Sequence, residues 1–192
     1  MRVVPPTPAE RTISPANLPK MQESDHRSLL ERGTVSERPR RRGVLLTDFP
    51  AKVPYRLTLN ISESHLERIS THSRESYPAE ACGILIGTVT GDARTVTEVW
   101  PAKNELSSES SYEIHPETLL HAFTYADQNE LEVVGFYHSH PFWSAEASSI
   151  DQARANYPHL SYLIYSIPNS EAKSFLFDGR RLIPEPVRTV SD

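Results

Sequence analysis

The chain has 192 residues, 38% of them hydrophobic, and a formal net charge of −5 at pH 7; that suffices for one domain with one core and gives no reason to expect nucleic-acid binding. Its single cysteine, Cys82, excludes an intrachain disulfide and fits a reducing compartment. No apolar run approaches the roughly 18 residues of a membrane span and the N-terminus lacks an apolar signal region, so a soluble, cytoplasmic protein without a membrane partner is expected.

Residues 1–43 differ from the rest. They hold six of the sixteen prolines and no aromatic residue, and nine basic side chains against five acidic ones make them +4, leaving −9 for the remainder. A segment of this composition cannot bury enough apolar surface to offset its ordering entropy. A disordered tail over 1–43 and a folded domain over 44–192 are therefore expected.

From Val44 the pattern turns globular. "YRLTLNI", Tyr55 to Ile61, alternates with the period of a strand. Ser62 is placed to cap a helix with Leu66 and Ile69 on one face, and Tyr77-Pro78 ends it, because a residue before proline avoids the helical region. "ACGILIG" reads as a buried strand closed by Gly87, and "TVTEVWPA" as a second alternating strand. Pro116 opens a helix that runs to Asn129, with Leu119, Leu120, Phe123 and Ala126 on its apolar side. "LEVVGFYHSH" is another strand, "SSIDQARANY" a short helix, and "LSYLIYSI" and "AKSFLFDG" two further strands. Strands separated by helices give an α/β domain, a sheet with flanking helices.

His138 and His140 stand two apart at a strand end, so both rings project to the same side and Ser139 to the other. An H-x-H pair by itself is as compatible with a structural role as with a metal. Asp151, in the first turn of the short helix, is the candidate third ligand. It also has an ordinary reading as an acid that favours the helix dipole, with Ser148 as N-cap. The two readings are compatible, because a helix start aimed at the histidines would bring the carboxylate to a shared ion. Two imidazoles and one carboxylate leave a coordination position open for a water, whose pKa a bound ion lowers towards about 7. Such a site needs a base. The chain has no HExxH, no PCxxC and no GxSxG, which removes three familiar arrangements. Glu80, just before "ACGILIG", could serve if an adjacent strand brought it beside His138; spacing alone leaves it as readily an exposed loop acid.

"PAEACGILIG" at Pro78 to Gly87, "HSHP" at His138 to Pro141, then Ser148 and Asp151 together resemble the JAMM zinc metalloproteases of the MPN-plus class, the Mov34/JAB domain family. The resemblance covers roughly Arg56 to Gly179. It implies a single MPN-type α/β domain with a mixed β-sheet flanked by helices, layered like a cytidine deaminase. It implies that His138, His140 and Asp151 hold Zn2+, that Glu80 is the general base, and that Ser148 donates to the oxyanion. The implied reaction is zinc-dependent hydrolysis of a peptide or isopeptide bond without a covalent intermediate. The implied partner is a ubiquitin-like or sulfur-carrier protein with a C-terminal Gly-Gly. Only 58 positions separate Glu80 from His138, which leaves little room for the inserted loops of the eukaryotic deubiquitinating members and points to the compact prokaryotic branch.

Two other functions compete. One is a non-catalytic MPN interaction module, a class that usually lacks a ligand, whereas none is missing here. The other is a zinc hydrolase of a different small amide on the same site. Phe142 and Trp143 either line a channel for an extended tail or anchor their loop on the core. Cys82 reads as a small buried strand residue, and His115 and His159 as structural or surface residues. Asn104 matches a position of the family with no role that spacing supplies.

Overall fold

The structure is a computed structural model that describes residues 57–191. The expected tail over 1–43, the domain boundary at 44, and the start of the first strand at Tyr55 lie outside the described residues. Among the described residues, eight strands and three helices follow one another in the order β1 (Thr58–Ser62), α1 (Glu63–Ser76), β2 (Cys82–Thr90), β3 (Ala93–Ala102), α2 (Pro116–Gln128), β4 (Glu132–His140), α3 (Ser149–Arg154), β5 (Ser161–Ser166), β6 (Glu171–Phe177), β7 (Leu182–Glu185) and β8 (Val187–Val190). The strands form one mixed sheet in the order β7-β6-β5-β4-β2-β3-β1-β8. The α/β class with helices flanking a mixed sheet is as the sequence implies.

Alternation along the strands divides the core in two. Ile84, Ile86, Phe136, Tyr162 and Ile164 face one side, with Ala122 and Ala126 of α2 packed on them. Leu85, Val134, Tyr137, Leu163 and Tyr165 face the other, with Ile69 of α1. Ser62 caps α1 as expected, its side chain accepting from the His65 backbone N–H. Gly83 allows close approach, since a Cβ there would collide with the Tyr137 ring and the Trp100 carbonyl.

Several expectations need correction. β2 continues past Gly87 to Thr90, and Gly87 instead marks a bulge against β3. In α2 the buried residues are Ala122 and Ala126, while Leu120 and Phe123 are exposed; small residues let the helix lie close to the sheet and turn the larger ones outward. α3 ends at Arg154, well short of Tyr157. Strands β7 and β8 lie beyond the last strand read from the sequence, where Pro184 and Pro186 weaken any ladder signal. Proline is tolerated here because β7 and β8 are the two ends of the sheet.

Those two end strands are joined by Pro186 alone, whose carbonyl accepts the Leu59 N–H at 2.9 Å. One linking residue spans at most about 7 Å, so the sheet curls until its ends meet at this corner. Arg94 of β3 and Glu185 of β7 form a buried ion pair across it at 3.1 Å, and Ser174 Oγ donates to the second carboxylate oxygen at 2.7 Å. Arg94 also donates to the His159 carbonyl. Among the described residues no helix is long and apolar enough to cross a membrane.

The corner yields a stability prediction. Glu185→Ala leaves the Arg94 guanidinium buried without its countercharge and is expected to cost about 3–5 kcal/mol in urea unfolding. Lys103→Ala, which breaks the exposed pair with Glu105, is expected to cost no more than about 1 kcal/mol.

Candidate metal centre

β4 lies between β2 and β5, antiparallel to the first and parallel to the second. It is buried from Val133 to its end. His138 and His140 continue the face of Phe136 and are 1% and 4% exposed. Ser139 points to the opposite face, and both its backbone and its side chain hold the entry to β2: the Ser139 N–H donates to the Ala81 carbonyl at 3.0 Å, and the Ala81 N–H donates to Ser139 Oγ at 2.8 Å. Cys82 pairs with His138, so the antiparallel register carried on through Ala81 sets Glu80 opposite His140. Glu80 thus arrives beside the histidines by strand pairing, nearest to the second of them.

Asp151 comes from the first turn of α3. Its carboxylate stands 3.0 Å from His138 Nε2 through Oδ1 and 3.4 Å from His140 Nε2 through Oδ2. The two Nε2 atoms are 3.2 Å apart. A capping box aims the carboxylate: Asp151 Oδ2 accepts the Ser148 N–H at 2.7 Å, and Ser148 Oγ accepts the Asp151 N–H at 3.2 Å. The helix-cap reading and the ligand reading of Asp151 therefore describe one arrangement.

The donor set fits a small cation. His140 Nδ1 donates to the Ser144 carbonyl at 2.7 Å, so the neutral ring has its lone pair at Nε2, the atom that faces Asp151. Without an ion, ring N–H groups face the carboxylate; with an ion in their place, the two Nε2 atoms and a carboxylate oxygen would offer it lone pairs. The three groups offer ligand atoms that all lie within 4.8 Å of one another. A tetrahedral ion with ligands at about 2.0–2.1 Å sets its ligand atoms roughly 3.3 Å apart; the two Nε2 atoms are 3.2 Å apart and each lies 3.0 or 3.4 Å from one of the two Asp151 oxygens, the scale such an ion needs.

The electrostatics follow from burial and these contacts. Burial pushes the His138 imidazole down towards its neutral form. Burial opposes charge on His140 too, but hydrogen bonds to Asp151 and to the Ser144 carbonyl raise it on balance. Burial would raise Asp151, yet the two imidazoles hold it well below the usual carboxylate range. Burial pushes the Glu80 carboxyl up to about 8, with His140 opposing and Asp151 adding to the rise. Among the described residues Glu80 Oε2 has no hydrogen-bond partner.

A cleft of about 310 Å³ opens at this point, lined by Glu80, His140, Trp143, Ser148 and Ile150 among others. Phe142 and Trp143 do not anchor their loop on the core. They are 45% and 51% exposed, and with Tyr77, 53% exposed, they form a chain of edge-to-face contacts that ends at Trp143, which lines the cleft. The loop backbone is pinned, because Ser166 Oγ donates to the Trp143 carbonyl at 2.6 Å.

Other residues fall where their ordinary chemistry takes them. Cys82 is buried with its thiol pushed up to about 12 by desolvation, and its Sγ–H faces the Ala102 carbonyl. His115 caps α2, its Nδ1 accepting the Glu117 N–H. His159 lies on the connection into β5, away from the cluster, and its carbonyl meets Arg94. One neighbour of the cluster carries no sequence signal: Tyr112 stacks on His138 with centroids 4.8 Å apart. It sits in an irregular stretch with neither helical nor strand periodicity, so only the folded chain reveals it.

Residues 62–178 match the family model described as prokaryotic homologs of the JAB domain. Two curated relatives, both named Desampylase, are similar to the chain. That of Haloferax volcanii is 36% identical over 113 residues, covering 56% of this chain and 80% of its own. That of Pyrococcus furiosus is 33% identical over 90 residues, covering 47% of this chain and 61% of its own. Among solved structures, a protein of Desulfitobacterium hafniense matches with a TM-score of 0.65 at 32% identity, over 70% of this chain and 94% of that one. A protein of Salinibacter ruber matches with a TM-score of 0.54 at 28% identity, over 68% and 91%.

The raised Glu80 carboxyl makes a prediction for the metal-free chain. Between the ordinary carboxyl value and about 8 the folded state binds the proton and the unfolded state does not, so this group's contribution falls as pH rises. Glu80→Gln mimics the protonated form. The variant is expected to unfold at higher urea than the chelator-treated parent, by a margin that grows from pH 5 to 8 to on the order of a few kcal/mol. A margin independent of pH would contradict the raised value.

Proposed function

Because the chain belongs to the family of prokaryotic JAB-domain homologs, we propose that it is a zinc-dependent peptidase or isopeptidase. Its proposed substrate is a ubiquitin-like or sulfur-carrier protein, cut after the C-terminal glycine. The observation that carries this reading is the convergence of His138, His140 and Asp151 on one point, with Glu80 and Ser148 on the wall of the adjoining cleft. The relatives named Desampylase support removal of a conjugated protein group. The lone buried thiol fits a reducing compartment, and the cytoplasm is the proposed location.

His138, His140 and Asp151 would hold the zinc. When bound, the ion supplies a Lewis acid that activates water and polarises the scissile carbonyl. Glu80, on the cleft wall with His140, takes the proton from the attacking water and passes it to the leaving amine. Ser148 Oγ accepts the Asp151 N–H, which leaves its hydroxyl proton to donate to the oxyanion of the tetrahedral intermediate. No covalent enzyme intermediate is required. Tyr77, Phe142 and Trp143 present exposed aromatic surface that runs to the cleft, the character of a binding hot spot, and seat the substrate tail. A purely adhesive module would need neither a complete ligand set nor a carboxyl desolvated at its side.

Glu80→Gln is expected to keep one zinc per chain and to lose at least about 10²–10⁴-fold in hydrolysis of a Gly-Gly–lysine isopeptide followed by mass. Unchanged turnover would remove Glu80 as the base. Alanine at His138, His140 or Asp151 is expected to lower zinc content measured by elemental analysis; full stoichiometry in all three would refute the ligand set. Ser148→Ala is expected to cost about 10²–10³ in kcat.

The aromatic ledge is tested separately. Trp143→Ala is expected to raise KM for a carrier-protein conjugate about tenfold or more, in line with about 2 kcal/mol for a hot-spot aromatic. An unchanged KM would remove the ledge from the substrate path.

A further inference from the structure

Glu80 reaches the cleft with little among the described residues to hold its carboxylate, since Oε2 finds no partner there. Its place is set through the backbone. On one side the two Ser139–Ala81 hydrogen bonds tie the following residue to β4. On the other, the Glu80 N–H donates to the Ser108 carbonyl at 2.8 Å, and the Glu80 carbonyl accepts from Asn104 Nδ2 at 3.1 Å.

Asn104 follows the end of β3 and is 9% exposed. Its amide makes four hydrogen bonds. Nδ2 donates to the Glu80 carbonyl and to the Ser111 carbonyl at 3.0 Å, while Oδ1 accepts the Leu106 N–H at 3.1 Å and the Glu113 N–H at 3.2 Å. Both donors and both lone pairs of the side chain are used. The loop it gathers, from Leu106 to Glu113, carries Ser108, which holds the Glu80 N–H, and Tyr112, which stacks on His138. One side chain thereby joins the backbone of the proposed base to the ring that covers a proposed ligand.

We propose that Asn104 is a positioning residue for the reaction, fixing the Glu80 carboxylate relative to His138 and His140 through this loop. The proposal rests on the reading of Glu80 as the base. Aspartate is the sharpest probe: it keeps the shape and the two accepted bonds but cannot donate to the Glu80 and Ser111 carbonyls. A misplacement of about 1 Å at the reacting groups can cost on the order of 10²-fold in rate.

The test compares wild type, Asn104→Asp, Asn104→Ala, Glu80→Gln and Asn104→Asp/Glu80→Gln as zinc-loaded full-length protein. The measurements are zinc content, thermal midpoint, and kcat and KM on the Gly-Gly–lysine isopeptide. Asn104→Asp is expected to keep one zinc and a KM within about threefold of wild type while kcat falls about 10–100-fold. In the Glu80→Gln background the same change is expected to have little further effect, because a residue that acts through Glu80 has nothing left to position. A kcat within threefold of wild type in both Asn104 variants, beside an inactive Glu80→Gln, would overturn the proposal and leave the base intact. An equal loss in both backgrounds, loss of zinc, or failure of both variants to fold would also overturn it, assigning Asn104 to general stability. A fully active Glu80→Gln would instead overturn the base reading itself.

Discussion

The pairing of β2 with β4, and its continuation through Ser139 and Ala81, is the constraint on which the site depends. Glu80 and His140 are sixty positions apart in the chain, and no local preference brings them together. Antiparallel register does so, because Cys82 opposite His138 obliges the residues just beyond to face one another. The Ser139 hydroxyl and N–H extend that register past the end of the ladder. Because side chains alternate along β4, the same residue that clamps the strand entry points away from the cleft, leaving His138 and His140 free to face it.

The second constraint is economy at the start of α3. Asp151 satisfies an orphan helix N–H and faces two imidazoles with the same carboxylate. Ser148 accepts from the helix and keeps a proton to give. A helix of six residues has little stability of its own, so the capping box and the packing of its surroundings hold it in place. Burial then raises the cost of charge at Glu80 and His138, while the Asp151–imidazole contacts hold the aspartate ionised. Two neighbouring carboxyl groups are thus driven in opposite directions, Glu80 up by burial and Asp151 down by its imidazole contacts.

Much of the fold was legible along the chain because its signals are local. Ser62 as a cap, Pro116 at the start of α2, and the apolar runs of β2, β4 and β5 identify their own elements. The errors arise where tertiary contacts override local preference. Pro184 and Pro186 hide two end strands that need no full ladder. In α2, Leu120 and Phe123 yield the interior to Ala122 and Ala126, because proximity to the sheet outranks side-chain size. Phe142 and Trp143 could not be assigned from sequence, since an aromatic pair in a loop reads alike whether it packs inward or outward.

The sequence by itself determined the chemical inventory: an H-x-H pair on one strand face, an aspartate three residues after a capping serine, and one glutamate before a buried strand. Those follow from alternation and helix-start chemistry, which depend on neighbours a few positions away. Only the tertiary structure decided that Glu80, His140 and Ser148 line one cleft with Asp151 and His138 against His140, that Glu80 stands opposite His140, and that Tyr112 covers His138. It also gave Asn104 its meaning, since four hydrogen bonds to four separate backbone groups exist only once the loop has closed around the amide. The division has a plain physical reason: periodicity fixes which way a side chain points, whereas strand register and loop closure fix what it meets.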